Sequence, residues 1–226
     1  MNLGNYLQKL RFYLRDALQT AYQQQDLIDL INQARADVIT DTFCCRALTT
    51  NFFTTAGQDK YSFGPILSDL QNQGLAATQI LAINSMSVFW SGTLVPMMDY
   101  LSFDDLSAIY RSFRGFTFIP FIWGMFDFQT FFVEPIPNSG YKLEIDCTYL
   151  PNTLVNTTDV DTVLPPAFGD FMLVPLLAAS YAKYNQNAYN ESQQFYGRYV
   201  IELERRMSIQ PVYRIPSMYG SEPRRP

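Results

Sequence analysis

No histidine occurs among the 226 residues, so the side chain that most often moves protons near neutral pH is missing. That removes Ser-His-Asp and Cys-His nucleophile systems and every histidine-containing zinc site. The thiols are Cys44, Cys45 and Cys147. Joining the neighbours Cys44 and Cys45 would close a strained ring, and no CxxC pair occurs, so reduced thiols that serve as packing are expected. The acids offer three places for chemistry. Asp104 and Asp105 are adjacent and read as an acidic pair at a helix N-terminus. Asp159 and Asp161 have the alternating spacing of some calcium loops, but the other oxygen ligands and the sixth-position glycine are absent, so a solvated loop is expected. Glu134 sits beside Pro135, and a glycosidase would need a second carboxylate across a cleft, which no spacing identifies. Phosphate-binding glycine loops, nucleophile elbows and HExxH are also absent. The expectation is no catalytic residue, no cofactor and no metal.

Basic residues are scattered as Lys9, Arg11 and Arg15, then Arg111 and Arg114, then Arg205 and Arg206, with Arg224 and Arg225 near the end. Arg11 and Arg15 share a helical face that reads as solvated. The 16 basic and 21 acidic residues leave a net charge of −5, the wrong balance for wrapping phosphates. A phenylalanine-rich sheet could stack bases, but without interleaved Lys or Arg it reads as core.

Helices must carry both ends of the chain. Residues 5–22 place Tyr6, Leu7, Leu10, Tyr13, Leu14, Ala17 and Leu18 at three-four spacing. Asp26 is expected as the N-cap of a second helix, with Asp29 as a weak capping-box partner and Leu27, Ile31, Ala34 and Val38 as its apolar stripe. Between 48 and 162 the pattern is mostly β. Residues 56–59 form a turn, 60–63 alternate like a strand, and 66–75 read as a loop or short helix. Residues 79–90 form a long strand, Ser91 and Gly92 a hairpin break, and 93–97 the return. A short helix is expected over 103–113, and a strand over 116–123 that Pro120 marks as an edge. Phe126, Phe128, Thr130 and Phe132 alternate with their neighbours as a further strand. Tyr141, Leu143, Ile145, Cys147 and Tyr149 alternate with Lys142, Glu144, Asp146 and Thr148, the clearest half-buried strand. After Leu164 and two prolines, Phe168, Phe171, Met172, Pro175, Leu176, Ala179 and Lys183 follow helical spacing, with a kink expected at Pro175. A last helix over 188–207 carries Phe195, Tyr199, Ile201 and Leu203, with Glu202 placed to pair with Arg205 and Arg206.

Beyond residue 208 four prolines interrupt any period. This segment reads as an extended arm, with Val212, Tyr213, Arg214, Ile215, Met218 and Tyr219 as partner-binding residues and a reach of about 50 Å. The expected fold class is α+β: a bundle of about four helices (1–47 and 163–210), a central antiparallel β insertion (48–162) and an extended C-terminal arm (211–226). No repeats are evident.

Aromatic residues make up 15% of the chain and charged residues only 16%. That is more apolar surface than one core needs, and it favours a subunit that buries further faces against neighbours. The start of the chain lacks signal-peptide character. The longest mostly apolar stretch, 116–126, falls short of the about 20 residues of a membrane helix. A soluble protein with no export signal of its own is expected.

An ordered set of motifs runs through residues 25–207: DLIDLINQARADVI, then TTAGQDKYSFGP, then FFVEPIPNSGYKLEIDCTYLPNTL, then LLAASYAKYNQ and FYGRYVIELERRM. In this order and spacing the chain resembles the head-to-tail adaptor (connector) proteins of tailed bacteriophages. The triplet Tyr149-Leu150-Pro151, followed by an Asp-bearing loop and Leu164-Pro165, carries much of the likeness. The chain departs from it in a longer, more aromatic sheet region and a Pro-rich terminal arm. The resemblance implies a structural virion protein and not an enzyme. It also implies a homo-oligomer, a dodecameric ring in the virion neck, made in the host bacterial cytoplasm. One face would dock on the portal protein and the other would receive the tail or its hub or nozzle proteins, with DNA passing through the lumen without specific binding. Another virion part, a tail-tube, baseplate or fibre-attachment protein, is the alternative.

Overall fold

A computed structural model describes residues 1–16, 18, 20–100, 116–162, 164 and 173–209, and the chain is an α+β protein. The described helices are α1 (Leu3–Leu14), α2 (Gln24–Thr42), α3 (Gly64–Asn72), α4 (Leu173–Asn185) and α5 (Tyr189–Ile209). The strands are β1 (Arg46–Phe53), β2 (Lys60–Ser62), β3 (Ala77–Trp90), β4 (Thr93–Pro96), β5 (Met98–Tyr100), β6 (Thr117–Phe118), β7 (Ile122–Met125), β8 (Thr130–Glu134), β9 (Ile136–Pro137) and β10 (Lys142–Pro151). They form two compact units. One joins Met1–Val38 to the described residues from Leu154 onward; the other is Ile39–Thr153. The expected helix over 103–113, its acids Asp104 and Asp105, and the positions Phe168, Phe171 and Met172 lie outside the described residues.

In the first unit, α1 begins two residues earlier than its apolar spacing suggests, because Asn2 caps it: the Asn5 N–H donates to Asn2 Oδ1 at 2.8 Å. The Leu3 and Gly4 N–H groups donate to the carbonyls of Asp159 and Thr157, both at 2.9 Å. A Cβ on Gly4 would stand 3.1 Å from the Thr157 oxygen, so this approach suits glycine. The helix also stops early, at Leu14 and not near residue 22. Arg15 turns left-handed with φ 57°, and the Asp16 N–H donates back to the Arg11 carbonyl at 3.0 Å. Asp16 then holds the turn, its carboxylate accepting from Arg11 Nη1 at 3.0 Å and from the N–H groups of Thr20 and Ala21 at 3.0 and 3.1 Å. Leu18, expected on the apolar face, is 84% exposed as a result.

Asp26 lies in the first turn of α2 and is not its N-cap. The stripe of Leu27, Ile31, Ala34 and Val38 is fully buried, as expected. α4 packs against α5 and α1, and Pro175 is buried within it. On α5, Tyr199 is buried, but Ile201, expected on the apolar face, is exposed. Glu202 pairs with Arg205 and Arg206 at 3.7 and 3.8 Å.

The second unit is built on the sheet β1-β10-β3-β4, antiparallel throughout. Strand β10 is central, with Leu143, Ile145, Cys147 and Tyr149 buried, as the alternation requires. Ser91 (φ 49°) and Gly92 (φ 82°) join β3 to β4, the two positive φ values of a type I′ hairpin. Within residues 66–75, which read as a loop or short helix, 66–72 are helical: α3 has Pro65 in its first turn and packs Ile66 and Leu70 against β1 and β3. The second sheet runs β2-β8-β7-β5, antiparallel except for the β5–β7 pair. The single edge strand expected over 116–123 is two strands. Pro120 falls between β6 and β7, and β7 is an interior strand, because the break at proline lets Ile122 resume pairing with Glu134. Strand β8 starts only at Thr130, and residues 126–129 turn back into a loop. Phe131, Phe132 and Val133 are all buried, so β8 is covered on both faces. The rings of Phe52, Tyr61 and Phe63 surround Phe131 with centroids 5.7, 5.6 and 6.4 Å away, tying the two sheets into one core.

Candidate interaction surfaces

Of the side chains singled out for chemistry, Asp159, Asp161 and Cys147 make hydrogen bonds within the fold. Asp161 is buried and not solvated: Arg35 Nε donates to its Oδ2 at 2.8 Å, Tyr6 Oη donates at 3.4 Å, and the Leu164 N–H donates to Oδ1 at 3.3 Å. Asp159 is half-buried and accepts from the N–H groups of Asn156 and Val155, which hold its carboxyl below the usual range. Glu134 ends β8, half-buried. Arg11 is buried against Asp16, not part of a solvated face. None of the three cysteines forms a disulfide. Burial pushes the Cys147 thiol up to about 12, and it donates to the Ala47 carbonyl at 3.6 Å. Among the described residues no group of three or more Cys, Asp or Glu side chains converges as a metal site. None of the described helices is long and apolar enough to cross a membrane. The arm residues Val212, Tyr213, Arg214, Ile215, Met218 and Tyr219 lie outside the described residues, as do Arg111, Arg114, Arg224 and Arg225.

The first unit carries a cleft of about 690 Å³ between the end of α1 and the α4–α5 pair, lined by Phe12, Tyr13, Arg15, Lys183, Glu191 and Arg198, with Phe195 and Gln194 beside them. The left-handed turn at Arg15 ends α1 here and leaves Phe12 80% exposed at the rim. Tyr13 and Phe195 form an aromatic wall with ring centroids 6.1 Å apart. Burial raises the Tyr13 phenol pKa, and the nearby Arg198 charge pulls against it. Lys183 Nζ is 2.8 Å from Glu191 Oε2, and this hydrogen bond holds the Glu191 carboxyl below its ordinary range. Arg15 and Arg198 have no acid within salt-bridge distance among the described residues. The cleft is therefore cationic with apolar walls, in a chain whose net charge is −5.

The second unit exposes apolar side chains at several places; besides Trp90 and the stacked rings of Phe116 and Phe118, two are an outer sheet face and a loop. Pairing aligns Phe53 with Lys142 and Phe89 with Leu94, and Val88 with Leu143, so Phe53, Lys142, Phe89 and Leu94 form one row across the outer face of the first sheet. Phe53, Phe89 and Leu94 are each about half exposed. Farther along this face Asp146 pairs with Arg46 and accepts from Asn84 Nδ2 at 3.3 Å. The second place is the β7–β8 loop, where Phe128 is 94% exposed. Sequence reasoning put Phe128 in a strand, and no local signal marked it as a projecting side chain. The cleft was equally hidden, because its walls come from three helices.

The described residues thus form an α+β protein that presents exposed aromatic side chains and a charged cleft. More specifically, the chain belongs to the SU10 adaptor protein family, a family of phage head-to-tail adaptors, whose model matches residues 1–217. No curated protein sequence matches it. Membership implies assembly with other virion proteins in the phage neck.

Proposed function

We propose that this chain is one subunit of a ring, twelve copies in the closed form, that joins the portal to the tail and encloses part of the DNA channel. Family membership over residues 1–217 is the observation that carries this reading. The exposed aromatic side chains support it, since a ring subunit buries two lateral faces as well as an upper and a lower one. In this reading α1, α2, α4 and α5 form the helical wall. The segment 211–226 docks on a neighbour or on the portal through Val212, Tyr213, Arg214, Ile215, Met218 and Tyr219. Twelve copies at −5 carry a charge of about −60, which keeps DNA sliding and unbound if acids face the lumen.

Electron microscopy of the chain mixed with its portal tests the reading. A ring seated on the portal, with acidic lumen walls, is the expected result. A trimer that binds a host surface ligand, or a place in the tail tube or baseplate, would replace it with another virion role. Deleting 211–226 is expected to weaken ring or portal binding; unchanged binding would remove the arm from the account.

A further inference from the structure

The β7–β8 loop is built to hold Phe128 in the open. Asp127 Oδ1 accepts from the Gln129 N–H at 2.7 Å. The N–H groups of Phe126 and Asp127 donate to the Thr130 carbonyl at 2.9 and 3.2 Å. Lys60 Nζ lies 3.7 Å from the centre of the Phe126 ring. A loop ordered in advance loses little entropy on docking, and an aromatic side chain 94% exposed at its tip is the usual form of an interface anchor. Next to that anchor is the exposed carboxylate of Asp127, which pairs with no cation among the described residues.

The cleft at the end of α1 has the complementary chemistry. Arg15 and Arg198 supply positive charge with no acid within salt-bridge distance among the described residues, Glu191 being close enough to feel the Arg15 charge while paired with Lys183, and Phe12, Tyr13 and Phe195 supply ring faces. Its volume is ample for one aromatic side chain and the carboxylate beside it.

We propose that the β7–β8 loop of one copy docks in this cleft of the next copy, Phe128 packing on the Tyr13–Phe195 wall and Asp127 pairing with Arg198 and Arg15. Donor and acceptor are different surfaces of the same chain, so the contact is head-to-tail and repeats from copy to copy until a ring closes. This rests on the ring reading above and names one of its lateral contacts.

The test uses two full-length variants. Phe128→Ser with Asp127→Arg removes the loop's chemistry, and Arg15→Glu with Arg198→Glu reverses that of the cleft. All four positions are exposed, and circular dichroism matching the parent confirms folding. Sedimentation velocity is run on each alone, on the mixture, and on each with portal. The expected result is that the parent self-associates, alone or on the portal, and that each variant does so at least tenfold more weakly. The mixture should then form a one-to-one complex that grows no further, because only one competent loop and one competent cleft remain. Variant rings that match the parent's on the portal would overturn this contact while leaving the ring reading intact. Self-association that depends on these residues, in a chain that never binds portal, would keep the contact and overturn the ring reading. A parent that stays monomeric in both settings overturns both.

Discussion

Replacing Asp161 by Asn keeps the shape of the side chain and removes the carboxylate charge to which the buried Arg35 guanidinium donates. The pair is almost wholly enclosed, with side-chain exposures of 4% for Arg35 and 1% for Asp161. Breaking such a pair from one side costs about 3–5 kcal/mol, because the remaining ion has lost both water and partner. The lower end applies here. Arg35 Nη1 still donates to Asn32 Oδ1 at 3.2 Å, and Asn32 stays fixed by its reciprocal bonds with the Leu154 backbone, both at 2.9 Å. The Tyr6 contact, at 3.4 Å, adds little. With a urea slope of about 3 kcal/mol per molar, a loss of about 3 kcal/mol lowers the midpoint by about 1 M. The probe should be the helical signal in circular dichroism, since both tryptophans, Trp90 and Trp123, lie in the second unit. Joint replacement by Arg35→Met and Asp161→Leu should recover at least half of the loss, because a matched apolar pair carries no stranded charge. A midpoint shift below about 0.3 M for Asp161→Asn, or a double variant as unstable as the single one, would refute this reasoning.

Phe131→Ala should cost about 3–5 kcal/mol in the unfolding of the second unit, read by tryptophan fluorescence, since it empties the centre of the Phe52, Tyr61 and Phe63 cluster. Ser91→Asn should stabilise by about 0.5 kcal/mol, because Asn accepts the positive φ that the hairpin imposes at 91; a lower thermal midpoint would count against the turn assignment. The Cys147 thiol stays neutral to about 12 in the folded chain, while an unfolded thiol ionises near about 8.5, so the folded state binds the proton more tightly and stability falls as pH rises above about 9. Urea midpoints at pH 8 and pH 10 should show that fall, and Cys147→Ala should reduce it. In the native protein Cys44, which is half-buried, should react with a thiol reagent well before Cys147, with all three titrating in denaturant; equal native rates would contradict the burial of Cys147.

What could be read from the sequence was whatever repeats along the chain at a local period. The α2 stripe of Leu27, Ile31, Ala34 and Val38, the alternation of Leu143, Ile145, Cys147 and Tyr149, and the Ser91-Gly92 hairpin all stand where their spacing puts them, because helix and strand periods are properties of neighbouring residues. Family membership was legible for a related reason, since its marks are turn and packing residues in fixed order. Tertiary structure decided the fate of the charges and of the projecting rings. Asp161 reads as a loop acid until Arg35, 126 positions away, is brought against it. Arg11 reads as a surface base until Asp16 ends the helix and takes its charge inward. Phe128 alternates like a strand residue, yet the backbone bonds to Thr130 turn it outward. Such outcomes depend on which distant groups meet, and a charge or an aromatic ring is indifferent to burial until its partner is in place.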